Sequence, residues 1–532
     1  MHKRGKKWPL GFLELLNAPY TLEDRERAEV IATVAPSMVS TPQFIGEASE
    51  TPVVLVWNKT YKFKSFVVLN CGTTALVLLD SQTDIVRWKR AAFIQMQMNW
   101  YPMDSDESGA EIHVVMVPIL AQSHMNQLLH FSTAIAGRGL SVSFVATSTH
   151  IHQVRHRFQG CDLHKFNIRF EELHMPELPD GEANAESTHM FPIHLASLFD
   201  CGDLLRPQMD SLLCKICSSN TKKVVMVYDP QMGWVQPLAD KYEIPAYKFM
   251  PVGIYPALWF NHKLIGTEFA GLRFSSLKVP LLRTLTEQHL RFVARVEPFL
   301  VPAKGTIINT FRAIEAPFID LAQERNVFGD DPVWTVGPLL PHQLLSEEPL
   351  RTDCECTRWL DSHSPASVLY VSFGSVSSLP AAQIREIALG LDRSGHPFLW
   401  VLRASDTSRF SAEVDSNGIC EFLPEGYENR IRGRGFIVTN WVPQLEILFH
   451  KSTGGFLTHC GWNSTVESIC AGVPIVAWPL HSDQFANAKL LACELKTGVE
   501  VKEWSNTEEY EMVSAEEVEV AVKRLMVSEE GM

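Results

Sequence analysis

The chain has 532 residues, of which 46% are hydrophobic and 20% are charged. This composition is typical of globular proteins and excludes a largely disordered chain. A net charge of −14, from 47 Lys and Arg against 61 Asp and Glu, disfavours general binding to nucleic acid or to an anionic membrane. The length predicts two to four domains at about 100–200 residues each.

Hydropathy and cysteine content indicate in which cellular compartment the protein resides. The sequence lacks the run of about 18–20 apolar residues that a transmembrane helix needs. The basic N-terminus is followed by a short apolar stretch without the small-residue cleavage site of a signal peptide. The 11 cysteines are an odd number without the paired spacing of a zinc site, which indicates reduced thiols. We therefore expect a soluble, cytoplasmic protein with no membrane insertion and no metal ion.

Residues 1–102 do not follow the pattern of the rest of the chain. They combine a basic start, an acidic stretch and hairpin-like apolar pieces at 53–57 and 75–79. We expect an N-terminal extension of unknown role. Our hypothesis is that Met103, which opens a short polar leader, is the natural start. The intact mass of the native protein tests this hypothesis, because residues before 103 would refute it.

From Glu111 onward, short β-branched runs alternate with longer helical stretches. Predicted strands lie at 112–119, 140–147, 223–229, 244–250 and 305–310. Strands that alternate with helices form parallel sheets covered on both faces. Residues 103–341 are therefore predicted to form one α/β domain.

A polar, acidic segment at 342–357 is predicted to be an interdomain linker. Residues 358–532 are predicted to form a second α/β domain, with strands at 367–375, 398–403, 435–440, 454–460 and 474–479. Ligands of open parallel sheets bind beyond the carboxyl ends of the strands. We therefore expect a ligand cleft between the two domains, lined by the loops after Ile119, Tyr228, Phe373, Asn440 and Thr458.

The segment from Trp441 to Gln484 carries the most specific signal in the sequence. It predicts a strand (GGFLTHC), a turn at Gly461 and a helix over 463–471 that ends at Gly472. The N-terminus of this helix follows the carboxyl end of a strand. Free N–H groups and the helix dipole stabilise an anion there by about 0.3–1 kcal/mol per charge at a surface, and by more when partly buried. The segment therefore predicts a phosphate site.

This segment resembles the signature box of the plant UDP-dependent glycosyltransferases, the secondary-product glycosyltransferase family. The shared elements are W-x-P-Q, H-C-G-W-N-S-x-x-E, G-V-P and the final D-Q, at the spacing of the family. The resemblance runs from about Glu111 to the C-terminus. It implies a GT-B fold, in which two Rossmann-like domains face each other across a cleft, the first binding the acceptor and the second the UDP-sugar.

The resemblance implies a role for each matching residue of the UDP-sugar site. The nucleoside contacts are Trp441, Val442, Gln444 and Glu467; the diphosphate contacts are Ser375, His459, Asn463 and Ser464; the sugar contacts are Trp462, Asp483 and Gln484. A final Gln in this box usually accompanies glucose. Two of these assignments have structural alternatives: Trp441 is also consistent with the hydrophobic core, and Ser464-x-x-Glu467 is also a helix capping box.

Transfer to a hydroxyl requires a base on the opposite side of the cleft. His124 follows the first strand of the first domain, at the start of the next helix, and its position resembles that of the family's catalytic histidine. The helix N-terminus disfavours imidazolium and is expected to keep His124 neutral. Asp229, at the end of strand 223–229, resembles the second catalytic residue, which orients the imidazole. The alternative is a turn-forming Asp before Pro230.

The resemblance implies direct displacement with inversion: His124 deprotonates the acceptor, UDP leaves and a β-glycoside forms, with no metal ion or cofactor. Stretches at 126–140, 146–154 and 478–484 resemble the zeatin O-glucosyltransferase branch. That branch implies UDP-glucose as the donor and a cytokinin, cis- or trans-zeatin, as the acceptor. Flavonoids and other phenolics are the alternative acceptors, and xylose is the alternative sugar.

Two other classes of function compete with this one. A nucleotide-dependent dehydrogenase would need G-x-G-x-x-G after an early strand, where this chain has Ala121-Gln122-Ser123-His124. The chain stops at RLMVSEEGM, whereas the family continues through further helices, so a catalytically inactive UDP-sugar-binding protein with a truncated C-terminus is the other alternative. We expect a monomer whose partners are small molecules.

Overall fold

The computed structural model describes residues 65–67, 77–79, 112–158, 163–175, 204–219, 223–265, 294, 303–329, 331–341, 354–374, 379–402, 422–504 and 511–527. Within them, two parallel sheets form two lobes. A short antiparallel pair, β1 (Ser65–Val67) and β2 (Val77–Leu79), precedes them in the chain. The hairpin-like piece predicted at 75–79 thus contains a strand, whereas 53–57 and Met103 lie outside the described residues.

The first lobe is an α/β unit with a seven-stranded parallel sheet. Its strands are β3 (Ile112–Val117), β4 (Ser141–Thr147), β5 (Ile168–Leu173), β6 (Lys223–Tyr228), β7 (Ala246–Met250), β8 (Thr306–Ile308) and β9 (Val333–Thr335). Its described helices are α1 (Gln122–Ala136), α2 (Ser148–Arg157), α3 (Arg206–Ser219), α4 (Gln236–Lys241), α5 (Ile254–Ile265) and α6 (Arg312–Glu324). The strand order is β5-β4-β3-β6-β7-β8-β9.

The second lobe has a six-stranded parallel sheet. Its strands are β10 (Val368–Ser372), β11 (Phe398–Val401), β12 (Gly435–Val438), β13 (Thr453–Thr458), β14 (Ile475–Ala477) and β15 (Gly498–Glu500). Its described α-helices are α7 (Glu355–Asp361), α8 (Ala381–Ser394), α9 (Tyr427–Arg430), α10 (Gln444–Phe449), α11 (Trp462–Ala471), α12 (Gln484–Lys489) and α13 (Ala515–Val527). The strand order is β12-β11-β10-β13-β14-β15.

Every predicted strand is present, with slightly shorter bounds. In the described parts of the two lobes, the sequence pattern did not predict three strands: β5, β9 and β15. All three lie at or beside a sheet edge, and β9 and β15 are only three residues long, so their hydropathy signal is weak. Helix α7 spans the predicted domain boundary at 358.

Each sheet has one point where the strand order reverses. This point lies between β3 and β6 in the first lobe and between β10 and β13 in the second. Connections from the two central strands leave toward opposite faces of the sheet, so a crevice opens beyond their carboxyl ends. The predicted catalytic and diphosphate residues follow these same strands.

The hydrophobic core crosses the boundary between the lobes. Leu258 and Trp259 of α5 and Phe318 of α6 belong to the same buried cluster as Val371 and Phe456 of the second sheet. The first lobe also has its own core around β3, β4 and β6. The shared cluster fixes how the two crevices face each other.

Candidate active site

Sheet pairing brings together the two predicted catalytic residues. Strands β3 and β6 pair in parallel, and the Asp229 N–H extends the ladder by donating to the Val117 carbonyl. His124 lies in the first turn of α1, directly beyond β3. Its Nδ1 lies 2.6 Å from Asp229 Oδ2, although the residues are 105 positions apart. An Nδ1–H donated to the carboxylate leaves Nε2 as the proton-accepting nitrogen.

Asp229 contacts His124 and also forms the turn that follows β6. Its residue is 2% exposed, and Oδ1 accepts a hydrogen bond of 2.9 Å from the Gln231 N–H, which caps the short helical turn Pro230–Val235. Formation of the turn therefore does not exclude the contact with His124. Because one oxygen is fixed by the backbone, the other is held in place for His124.

The electrostatic surroundings of His124 differ from the prediction. Burial opposes the charged imidazole, but the Asp229 charge and hydrogen bond, together with the Asp483 charge, leave the pKa of His124 above its ordinary value of 6.5. The helix N-terminus was expected to help keep His124 neutral; the Asp229 carboxylate acts in the opposite direction, because a negative charge in contact favours the imidazolium. The side chain is 24% exposed, so a ligand can reach it.

The predicted phosphate helix lies directly opposite His124. Helix α11 begins at Trp462, one residue before the predicted start, and the Asn463 side chain donates a 2.9 Å hydrogen bond to the Ser123 carbonyl of the first lobe. The helix ends at Gly472, whose φ of 76° is the left-handed conformation expected of a C-terminal glycine. The helix N-terminus, whose first N–H groups have no acceptor within the helix, is therefore next to the loop that leads into His124.

His459 lies between the two loops at the switch point of the second lobe. It follows β13 and is 7% exposed. A Cβ atom at Gly374 or at Gly461 would come within 2.4 or 2.6 Å of its Nε2, so both positions require glycine. The loops after β10 and β13 thus close tightly around this imidazole. Ser375, the next predicted diphosphate contact, lies outside the described residues.

The predicted uracil platform is exposed. Trp441 has 46% of its surface accessible, which rules out the alternative of a core tryptophan. Its neighbour Val442 is 6% exposed and packs in the core of the second lobe. The buried Val442 side chain holds the backbone in place, while the Trp441 indole stays accessible. Such an indole is suited to stacking on a flat base.

Glu467 does not act as a helix cap. The N-cap of α11 is Gly461, no side chain caps the helix, and Ser464 lies inside it. Glu467 instead accepts a 2.7 Å hydrogen bond from the Gln444 amide, which also donates to Ser464 Oγ at 3.2 Å. The Tyr370 hydroxyl donates to Gln444 Oε1 at 3.2 Å and fixes the orientation of that amide. The capping-box alternative is therefore wrong.

Burial raises the pKa of Glu467 to about 7, and the hydrogen bond from Gln444 opposes this shift. A carboxylate that titrates near neutral pH and is held by a single amide still has acceptor capacity for further donors. Vicinal ribose hydroxyls would supply such donors. The geometry fits the nucleoside role that the resemblance implies.

The three predicted sugar contacts have other partners in this structure. The Trp462 indole N–H donates to the Asn309 carbonyl of the first lobe at 2.7 Å. Gln484 Oε1 accepts from the Leu480 and His481 N–H groups at 2.9 and 3.0 Å. Asp483 accepts from the Asn487 amide at 2.7 Å, and burial raises its pKa while Asn487 and His124 oppose the shift. Their contact with a sugar stays a prediction.

Sequence reasoning missed three buried polar side chains that connect distant elements of the first lobe to one another. Gln127, Asn309 and Glu315 are each at most 4% exposed and hydrogen-bonded to distant parts of the chain. Asn309 directly follows β8, so the rule that ligand loops follow strand ends could have directed attention to it. Nothing in the sequence distinguishes Gln127 from other glutamines on helices.

Among the described residues, no group of three or more His, Cys, Asp or Glu side chains is arranged to hold a metal ion. The helices in the same segments are too short or too polar to cross a bilayer. Cys214 and Cys217, two residues of α3 with the spacing C-x-x-C, are free thiols.

Comparison with known families gives matches over both lobes. Residues 110–341 match the model described as "Glycosyltransferase, N-terminal domain", and residues 344–530 match "UDP-glucoronosyl and UDP-glucosyl transferase". Zeatin O-glucosyltransferase of Phaseolus lunatus is 37% identical over 423 residues, covering 79% of this chain and 89% of that protein. Cis-zeatin O-glucosyltransferase 1 of Zea mays is 36% identical, covering 81% of this chain and 92% of that protein.

Solved structures give the same result. Phytolacca americana UGT2, complexed with UDP-2fluoro-glucose and pterostilbene, is 28% identical with a TM-score of 0.60, covering 80% of this chain and 92% of that chain. Glycyrrhiza uralensis UGT73P12 is 25% identical with a TM-score of 0.65, covering 79% of this chain and 89% of that chain. The predicted GT-B fold is confirmed. The chain belongs to the plant UDP-glycosyltransferase family and is an enzyme of that family.

Proposed function

We propose that this enzyme transfers glucose from UDP-glucose to a hydroxyl of a small acceptor, with inversion at the anomeric carbon. The observation that carries the proposal is the His124–Asp229 pair, with Nδ1 and Oδ2 2.6 Å apart, directly opposite α11. His124 Nε2 takes the acceptor proton while the acceptor oxygen forms a bond to the anomeric carbon. The bond from that carbon to the diphosphate breaks, UDP leaves and a β-glycoside results.

The second lobe supplies the stabilisation that the leaving diphosphate needs. The Asn463 amide at the N-terminus of α11 contacts the loop that contains His124. His459 directly precedes this turn, and Ser375 follows Gly374 in the sequence. Fixed dipoles of this kind favour the charge that develops as UDP departs. The proposed mechanism uses no metal ion and no cofactor.

The proposed acceptor is the cytokinin zeatin, cis or trans, glucosylated on its side-chain hydroxyl. The support is that three of the most similar relatives are named for zeatin: two O-glucosyltransferases and the Zeatin O-xylosyltransferase of Phaseolus vulgaris, which is 36% identical. The xylosyl relative makes UDP-xylose the alternative donor. Gln484 at the end of the signature box favours glucose. Flavonoids and other phenolics are the competing acceptors.

The test is a matrix of acceptors and donors with the intact chain. Both zeatin isomers, a flavonol and a simple phenol are each incubated with UDP-glucose or UDP-xylose, and products are identified by mass and by the anomeric coupling constant. We expect β-glucosides of zeatin. Glucosylation of phenolics alone would overturn the acceptor, α-linked product would overturn the inversion, and preference for UDP-xylose would overturn the sugar.

His124→Ala is the control variant for this assay. It removes the base but none of the predicted UDP contacts, so we expect turnover to fall by about 100-fold or more while UDP affinity stays nearly unchanged. Calorimetric titration with UDP measures the affinity. Activity like that of the unmodified enzyme would contradict the assignment of His124.

A further inference from the structure

A buried glutamine on the catalytic helix connects it to the rest of the first lobe. Gln127 lies on α1, one helical turn after His124, and is 4% exposed. Its Nε2 donates to the Pro251 carbonyl at 3.0 Å, and its Oε1 accepts from Asn309 Nδ2 at 2.7 Å. Because the amide donates in one direction and accepts in another, the helix cannot slide or rotate without breaking one of the two bonds.

Asn309 continues this connection to the second lobe. It is 1% exposed, and its Oδ1 accepts from the Leu339 N–H at 3.2 Å. Its backbone carbonyl accepts the 2.7 Å hydrogen bond from the indole of Trp462, the first residue of α11. A continuous buried path of hydrogen bonds thus runs from the helix of the base to the helix of the diphosphate site.

We propose that Gln127 is a positioning residue for glycosyl transfer, which sets the distance of His124 from the bound UDP-sugar through Asn309 and Trp462. This inference rests on the proposed function. Transfer requires the acceptor oxygen, held at the base, and the anomeric carbon, held by the second lobe, to meet in a near-attack geometry. The two are held by different lobes, so the connection between α1 and α11 controls that geometry.

The test compares Gln127→Met with a matched control, Gln383→Met. Gln383 is also a fully buried helical glutamine with two distant hydrogen bonds, donating to the Val513 carbonyl at 2.8 Å and accepting from the Val513 N–H at 2.9 Å. It lies on α8, packed against the segment that leads to α13. Both variants exchange an amide for a thioether of similar size, and Gln127→Met alone disturbs the path between the lobes.

The readouts are kcat, the UDP dissociation constant and the Tm of each variant. We expect Gln127→Met to lower kcat by about tenfold or more, since a displacement of about 1 Å can cost 100-fold. UDP affinity should change by less than about twofold, because the predicted UDP contacts are intact. Both variants should lower Tm by a similar amount, because each loses two buried hydrogen bonds. Gln383→Met should leave kcat unchanged. Equal kcat in the two variants would overturn the proposal.

Trp462→Phe gives a second test that does not depend on the folding of Gln127→Met. It removes the N–H donated to Asn309 and should lower kcat by a similar factor. The double variant should lose little more than the larger single loss, because both changes break one path. Additive losses would overturn the proposal. Absence of transfer in the unmodified enzyme would instead refute the proposed function, so the two failures are distinct.

Discussion

The two ring nitrogens of His124 have different environments, and this difference determines which of them can accept a proton. Nδ1 is held by Asp229, whose second oxygen is fixed by the Gln231 N–H. In the proposed mechanism, the carboxylate stabilises the imidazolium that forms when Nε2 accepts the proton of the acceptor. The same contact accounts for the raised pKa of His124 despite the opposing effect of burial.

Asp229→Asn should change both the rate and its pH dependence. The base must be neutral, so kcat/KM of the unmodified enzyme should fall as the pH drops through the raised pKa of His124, above 6.5. Without the carboxylate this acidic limb should move to lower pH, while kcat falls by about 100-fold or more because the imidazolium is no longer stabilised. A pH–rate profile of both forms measures this. An unmoved acidic limb would contradict the role of Asp229.

Glu467→Gln should remove a pH dependence from UDP binding. The pKa of Glu467 is raised to about 7 by burial, so below that pH the carboxyl is protonated and loses acceptor capacity. UDP should therefore bind more tightly as the pH rises from 6 to 8, by at most tenfold per pH unit. In the variant, affinity should be weaker and nearly independent of pH over this range. Calorimetry checks this, and an identical slope in both forms would refute it.

At the scale of elements, a buried carboxylate determines where α5 begins. Glu315 on α6 is 0% exposed, and its two oxygens accept from the Ile254 and Tyr255 N–H groups at 2.9 and 2.8 Å. The Thr310 hydroxyl donates to the same carboxylate. Burial raises the pKa of Glu315, and these three donors oppose the shift. The first N–H groups of a helix have no acceptor within the helix, and Glu315 supplies acceptors for two of them at the start of α5.

Glu315→Ala should destabilise the first lobe by about 3 kcal/mol, because it leaves two buried N–H groups and a hydroxyl without an acceptor. Urea unfolding followed by circular dichroism measures the loss. Glu315→Gln is the matched variant: it keeps one acceptor oxygen and nearly the same volume, so it should lose less. Equal stability of Glu315→Ala and the unmodified chain would contradict this role for the carboxylate.

For the whole molecule, the fit between the lobes depends on one glycine. A Cβ atom at Gly253 would lie 2.6 Å from the Trp462 ring of the second lobe and 2.8 Å from Glu315 Oε1. Neither neighbour is at the end of a mobile chain, because the indole is hydrogen-bonded to Asn309 and the carboxylate to α5. At Gly253 the backbone of the first lobe therefore contacts the second lobe directly, without room for a side chain.

Gly253→Ala should therefore move the lobes relative to each other. We expect transfer to fall by about tenfold or more while UDP binding, which is predicted to depend on the second lobe, changes little. Gly137→Ala is the control, because a Cβ there comes no closer than 3.2 Å to a neighbour and its φ is −61°. Full activity of Gly253→Ala would show that the contact between the lobes tolerates the displacement.

Local patterns in the sequence determined much of this protein. Apolar runs bounded by turn residues predicted the strands around both switch points, and Gly472 predicted the end of α11. The resemblance to the family implied that Asp229 orients His124, and the rule that carboxyl ends of parallel strands lie at one edge of the sheet supported it. These features depend on residues near in sequence, or on a topological rule that needs no side-chain detail.

Tertiary structure alone decided how the site residues are held. Glu467 at i+3 from Ser464 satisfies the pattern of a capping box, yet its partner is Gln444, 23 positions away. The pKa of His124 depends on charges from 105 and 359 positions along the chain. Folding also brings Gln127 to Asn309 within the first lobe, and brings the Asn309 carbonyl to the Trp462 indole of the second lobe. Hydrogen bonds and charges act over a few ångströms of space, and sequence distance does not encode which residues folding will bring that close.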